Sequence, residues 1–358
     1  MSSRQSHTSD PPPGEAALLA AGRPHRRLLL DRLRTGGPLG LGTATLGNLY
    51  RAIDDRVARA TVDAAWDAGV RFFDTAPFYG SGLSERRVGE ALRERPRDAF
   101  LLSTKVGRLL VPSEAEPGRD GYFSPMPFEP RFDYSYDGVM RSFEASLQRL
   151  GLTRIDILLM HDLGRVTHGG DHGRHLADAI SGGFRAMEAL RDQGAVSAIG
   201  LGVNEVEICA EAMQHADLDL FLVAGRYTLL NVGAGAFFDD CHLRNIGIVA
   251  AGVFNSGILA TGTVHGQAHY DYAPAPPAIL RRVAAIEAIC ARFEVPLPAA
   301  ALQFVAHRAA VTTVLVGAAS PVEAGQAVAL LNHTIPKQFW KAMHAEGMIP
   351  PDPELSVV

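Results

Sequence analysis

Asp74, Tyr79, Lys105 and His161 are four side chains of complementary chemistry, and each sits at or just past the end of a short apolar run. The stretch RFFDTAPFYGSG (71–82) places a carboxylate at the mouth of such a run and a phenol five residues on, before a glycine turn. Lys105 closes FLLSTK, and a lysine there is costly to bury unless a carboxylate pairs with it, for which Asp74 is the candidate. A cation beside a phenol stabilises the phenolate, so Lys105 is expected to lower the pKa of Tyr79 and make it a usable acid or base. Taken singly, each residue has a plainer reading. Asp74 before Thr75-Ala76-Pro77 could initiate a turn, Lys105 could reach to a rim, and His161 beside Asp162 could be a loop histidine. Their convergence at one end of consecutive strands favours a site.

The elements that must hold these residues alternate in kind. Short apolar runs at 39–43, 70–74, 100–105, 155–160, 196–201, 218–223, 246–251 and 312–317 suit strands buried on both faces. Amphipathic stretches lie between them, among them 54–69, 84–96 and 136–151, the last two with Ser84 and Asp137 or a near neighbour as expected N-caps. Eight such units without a break point to an α/β fold, a single (β/α)8 TIM barrel, with an open doubly wound sheet as the alternative. The open sheet would be favoured by a GxGxxG after the first strand, which GLGTATLG (40–47) only loosely approaches. Three long loops, 107–133, 161–175 and 254–277, each follow a strand and so belong at the C-terminal face, where barrel enzymes carry their chemistry. The expected division is a flexible N-terminal tail (1–25), the barrel (26–345) and a C-terminal tail (346–358).

Composition narrows the class. The chain has 358 residues, 47% of them hydrophobic, and a formal net charge of −5, which gives no reason to expect a nucleic-acid partner. No apolar run approaches the roughly 18–20 residues that span a bilayer, so no membrane partner is expected. Cys209, Cys241 and Cys290 fall in helical stretches without CxxC spacing and read as buried free thiols of a cytoplasmic protein. His168, His172 and His175 match no standard zinc spacing, so no metal is expected. Aromatic residues cluster at Tyr122, Phe123, Phe128, Phe132, Tyr134 and Tyr136, either as a wall around a substrate or as packing within their loop.

The stretch GVRFFDTAPFYGSGLSERRVGEAL, with STK ending at Lys105 and LLMHD containing His161, resembles the aldo-keto reductase superfamily from about Leu39 to Leu331. Within it, DLGRVTHG and IGLGVNE look like the bacterial aldose (L-fucose or D-threo-aldose) and pyridoxal dehydrogenase group. The resemblance implies NAD or NADP held across the barrel mouth, with Tyr79 as general acid/base, Lys105 lowering its pKa, Asp74 holding Lys105, and His161 orienting the substrate oxygen. It also implies cofactor contacts from Thr43, Asn204, Phe254, Ser256, Gly257, Leu259, Gly317, Ala318, Ser320 and Gln326.

Some positions depart from the pattern. Val203 precedes Asn204 where a serine is usual, Ala224 stands near the place of a glutamine, and Gln326-Ala327 replace Glu-Asn. Ala319 stands where NADP-using members carry a cation, so NAD preference or dual use is expected, unless an arginine such as Arg226 supplies the charge. The implied activity is hydride transfer from the anomeric carbon of an aldose, giving a lactone. The alternatives are NADPH-dependent reduction of small aldehydes, pyridoxal oxidation, and a slow cofactor-sensing binding protein on the same barrel. A sugar or aldehyde is the expected partner, and the chain is expected to be a monomer or a small homo-oligomer.

Overall fold

In the computed structural model, the described residues are 24–37, 39–114, 119–263 and 268–350. Eight parallel strands close into a barrel: β1 (Gly40–Gly42), β2 (Phe72–Asp74), β3 (Leu101–Val106), β4 (Ile157–His161), β5 (Ala198–Val203), β6 (Leu220–Ala224), β7 (Gly247–Ala251) and β8 (Thr313–Gly317). Every expected strand is present, and β1 pairs with both β2 and β8 to complete the ring. The runs are apolar throughout because one face of each strand fills the barrel and the other meets a surrounding helix.

Two separate cores follow from that geometry. Phe72, Leu101, Ile157, Leu159, Leu220, Leu222, Val249 and Leu315 fill the barrel interior. The opposite strand faces pack against the helices in a second, larger cluster that includes Phe73, Leu102, Leu158, Ile199, Phe221 and Ile248. The bottom of the barrel is closed by the helix Pro24–Thr35, whose Leu29, Leu30 and Leu33 join the interior core. The boundary expected at residue 26 therefore falls within a helix, while 1–23 and 351–358 of the two expected tails lie outside the described residues.

The helices Asp55–Asp67, Leu83–Leu92 and Tyr136–Leu150 occupy the expected amphipathic stretches. Two N-caps fall two residues before the residues singled out, on near neighbours. Gly82, in the left-handed region, starts the second helix, because the Ser84 hydroxyl is buried and donates to the Thr43 carbonyl at 2.7 Å. Ser135 caps the third, accepting the Gly138 N–H at 3.1 Å, so Asp137 lies within the first turn. The long loops carry structure of their own. The first contains an antiparallel hairpin, Arg108–Pro112 with Phe128–Phe132. The third contains a short helix, Ile258–Thr261, and a small hairpin, His269–Tyr270 with Ala273–Pro274. All three cysteines are buried and free.

Candidate active site

β2, β3 and β4 present Asp74, Lys105 and His161 at their C-terminal ends. The Lys105 ammonium donates to Asp74 Oδ2 at 2.7 Å, to the Thr75 carbonyl at 2.9 Å and to the Tyr79 hydroxyl at 3.0 Å. Ser103 donates to the other Asp74 oxygen at 2.7 Å, so the buried carboxylate has a partner on each oxygen. Lys105 is 1% exposed, and Gly202 on β5 makes room for its stem, since a Cβ there would sit 3.1 Å from Cε. Tyr79 is held by a close backbone crossing: a Cβ on Gly47 would meet the Tyr79 carbonyl at 2.7 Å, and Gly80 turns away with φ +64°. The glycines of the β1 and β2 loops thus fix the phenol over the barrel mouth.

The electrostatics differ from the sequence-based expectation in one respect. Burial pushes the Tyr79 phenol well above its usual range, the Asp74 and Asp162 carboxylates push it the same way, and Arg108 pulls it down. Desolvation of the phenolate outweighs the neighbouring cations, so the net shift is upward and Tyr79 holds its proton at neutral pH. His161 moves the other way: burial first, then the charges of Arg108 and Lys105, hold its imidazole well below the usual range and neutral.

Two residues beside this cluster were not among the expected site residues. Arg108, 6% exposed, bonds His161 Nδ1 at 2.7 Å and donates to Asp162 Oδ2 at 2.9 Å. Asp162 has φ +49°, the left-handed region that side chains rarely adopt, at the end of β4. The sequence carried one signal for this pair. A carboxylate next to His161 and a cation three positions after Lys105 both need partners once buried, and each is the other's. Of the aromatic cluster, Tyr122 stacks on Tyr79 with ring centroids 6.4 Å apart and touches Phe78 at 5.4 Å. Phe132 and Tyr134 pack instead on each other and on His168 and His175.

The residues expected to contact a cofactor divide into two groups. Thr43 is fully buried, its hydroxyl donating to the Asp74 carbonyl at 2.7 Å, and Leu259 is a core side chain whose N–H goes to the Phe254 carbonyl at 3.1 Å. Both lie behind the mouth. Asn204, Phe254, Ser256, Gly257, Gly317, Ser320 and Gln326 are partly or fully exposed near the ends of β5, β7 and β8, with Ala318 buried among the last of them. Arg226 is engaged by the Asn204 carbonyl and by Asp271 at 3.2 Å. Asn204, Ser256, Ser320 and Gln326 put partly or fully exposed polar side chains on this rim, which suits a polar guest. Among the described residues, no atom beyond the local chain stands within 4 Å of where a Cβ on Gly257 would be, and Gly317 is nearly as open. Asn255, 5% exposed, keeps a buried Oδ1 without a partner among the described residues.

A closed parallel barrel with paired charges, a phenol and an imidazole at its C-terminal face has the form of a barrel enzyme. The sequence model of the Aldo/keto reductase family matches residues 38–346. The chain belongs to that family and is an oxidoreductase; members of the family work with NAD(P)H. It is 45% identical over 323 residues to a pyridoxal 4-dehydrogenase of Microbacterium luteolum, covering 87% of this chain and 94% of that one. It is 42% identical over 319 residues to a D-threo-aldose 1-dehydrogenase of a Pseudomonas species, with the same coverage of 87% and 94%. Among solved structures, the fold resembles a glycerol dehydrogenase of Gluconobacter oxydans at a TM-score of 0.67 and 23% identity, over 88% of this chain and 93% of that one.

Proposed function

We propose that the protein oxidises a cyclic hemiacetal to a lactone, taking a hydride from the carbon that bears the ring oxygen and the hydroxyl. The two relatives are named for dehydrogenation at the formyl-derived carbon of pyridoxal and at C1 of an aldose. Both compounds close into hemiacetals, which supply the C–H and O–H that such an oxidation removes. An aldose of the L-fucose or D-threo type is the first candidate substrate. The single observation that carries the reading is the hydrogen-bonded Asp74–Lys105–Tyr79 chain, with the His161 ring 5.9 Å from the Tyr79 ring.

In this reaction Tyr79 Oη receives the proton of the hemiacetal hydroxyl. Lys105, held by Asp74, stabilises the charge that Tyr79 carries before it accepts that proton. His161 donates a hydrogen bond to the same substrate oxygen and orients it. Tyr122 and Phe78 form an apolar wall beside the reacting carbon and exclude water. The nicotinamide, when bound, supplies the hydride acceptor. Asn204, Asn255 and Phe254 would hold its ring end, Ser256 and Gly257 its middle, and Gly317, Ala318, Ser320 and Gln326 its adenosine end.

NAD is the favoured cofactor. At the start of the helix Pro321–Leu331, Glu323 accepts the Ala319 N–H at 2.7 Å and pairs with Arg51 at 3.2 Å. A carboxylate already holds the positive end of this helix, and Ala319 offers no cation to a 2′-phosphate. The raised Tyr79 pKa favours a second reading, aldehyde reduction, because a protonated phenol at neutral pH is a ready proton donor.

Initial rates with L-fucose, D-arabinose, L-galactose, D-threose-like sugars and pyridoxal, each with NAD and NADP, test the assignment. Reduced nicotinamide and a lactone from at least one hemiacetal, with NAD the better cofactor, is the expected result. Activity confined to NADPH-driven reduction of open-chain aldehydes would replace the first reading with the second.

A further inference from the structure

We propose that Arg108 is a positioning residue that fixes the proton of His161 on Nε2, so that the imidazole can only donate toward the reacting oxygen. The donor role rests on the function proposed above. The tautomer itself does not, and it can be read without any turnover.

The argument begins with what a guanidinium can do. It has five donors and no acceptor, so whatever it hydrogen-bonds must accept. The Arg108 guanidinium lies 2.7 Å from His161 Nδ1, and that nitrogen therefore carries a lone pair and no hydrogen. A neutral imidazole has one N–H, which leaves it on Nε2. The ring is neutral because it is buried and faces two cations, Lys105 and Arg108, from the adjacent strand and loop.

The remaining groups around the ring do not compete for Nδ1. Phe78 and Tyr79 meet it edge to face at 6.0 and 5.9 Å, and the Tyr134 hydroxyl donates to the His161 backbone carbonyl at 2.8 Å. Asp162 Oδ2 stands 3.4 Å from Nε2, a long contact that a substrate oxygen can replace.

Arg108 is itself locked. Its other terminal nitrogen donates to Asp162 at 2.9 Å, and its Cζ lies 4.2 Å from the Phe78 ring centroid and 4.9 Å from that of Phe132. The Asp162 carboxylate offsets its charge. The residue makes its direct contact to the catalytic cluster through His161, with a smaller downward pull on the Tyr79 phenol, and its location just after β3 makes it part of the same βα loop that covers the mouth.

Nitrogen-15 NMR of protein labelled at its histidine imidazoles tests this directly, with His161→Gln identifying the His161 signals. In the wild-type protein without substrate, His161 is expected as the neutral Nε2–H form from roughly pH 5.5 to 8.5, with no titration step. In Arg108→Met, the signals should move to mixed tautomers or to a titrating ring, now beside an unpaired Asp162. The same change should lower kcat/KM about 10²-fold, mostly in kcat, with cofactor affinity unchanged. Arg108→Lys keeps a donor and should restore much of the Nε2–H form. An Nδ1–H ring or an imidazolium in the wild type at neutral pH overturns the proposal, as does an Nε2–H form that survives in Arg108→Met. If Arg108→Met does not fold, the wild-type spectrum and Arg108→Lys decide alone.

Discussion

Tyr79 carries the least intuitive charge state in the molecule, since a lysine at 3.0 Å does not make it acidic. Burial and two nearby carboxylates raise its pKa, so at pH 7 the phenol is protonated and its proton-accepting form grows as pH rises. Lactone formation should therefore climb steadily across roughly pH 6–9, while the reverse reduction holds or falls over the same range. A pH profile of kcat in both directions measures this, with Tyr79→Phe as the control that loses at least about 10²-fold in turnover but keeps cofactor binding. A flat oxidation profile would remove Tyr79 as the proton acceptor. At this scale the sequence was informative where a residue's partner was close at hand. Asp74, Lys105 and His161 end strands, and strand ends can be read from apolar runs. Arg108 and Asp162 were missed because their meeting depends on how a long loop folds back over β4, which no periodicity encodes. The sign of the Tyr79 shift was missed for a related reason, since proximity to Lys105 is legible and the depth of burial is not.

The elements show a division of labour between the two ends of the barrel. At the bottom, Asp156 before β4 accepts the Leu102 N–H of β3 at 2.9 Å and pairs with Arg97 and Arg154. Asp219 before β6 does the same for the Ile199 N–H of β5 at 3.0 Å, with Arg191 and Arg26 as its cations. Thr312 before β8 accepts the Ile248 N–H of β7 at 3.0 Å. Three of the even-numbered strands thus tie down the strand before them with a side chain, far from the chemistry. Asp156→Ala leaves the buried Leu102 N–H without its acceptor and Arg97 without its carboxylate, while Arg154 keeps Asp98 at 2.9 Å, and should cost about 2–4 kcal/mol in urea unfolding while the remaining folded protein keeps its kcat. A kcat that falls in step with stability would show that bottom and mouth are coupled. At the mouth, the helix Pro321–Leu331 begins with Ser320 capping the Glu323 N–H at 3.3 Å, and Glu323 reaching back to Ala319. Glu323→Gln removes a negative charge from this helix start, and should improve NADP affinity relative to NAD by about 2–5-fold in a fluorescence titration. No change in the ratio would mean that discrimination lies elsewhere. Strand positions were legible because both faces of each strand are buried. The exact capping residues were not, because Ser84 is drawn away by tertiary hydrogen bonds and Ser135 precedes the apolar pattern.

For the whole molecule, the helix Pro24–Thr35 is the element that composition and motif could not foresee. It lies before β1, at the start of the stretch 26–345 expected as barrel, where the sequence reading places no helix. Its Leu29, Leu30 and Leu33 nevertheless complete the interior core, and Arg26 locks it by ion pairs to Asp219 at 2.8 Å and Asp217 at 2.5 Å. Arg26→Ala leaves Asp219 still paired with Arg191, so its cost should be about 1–3 kcal/mol in urea unfolding, with kcat unchanged. A loss of activity without a loss of stability would contradict the separation of the two barrel ends. The same helix sets an order of events at the ribosome. Its ionic partners lie 191 and 193 residues downstream of Arg26. At roughly 5–20 residues per second, the helix waits on the order of 10–40 s for Asp217 and Asp219 to be synthesised. During that time three leucines have no barrel to enter, and a helix made before any barrel strand is among the last elements to find its place.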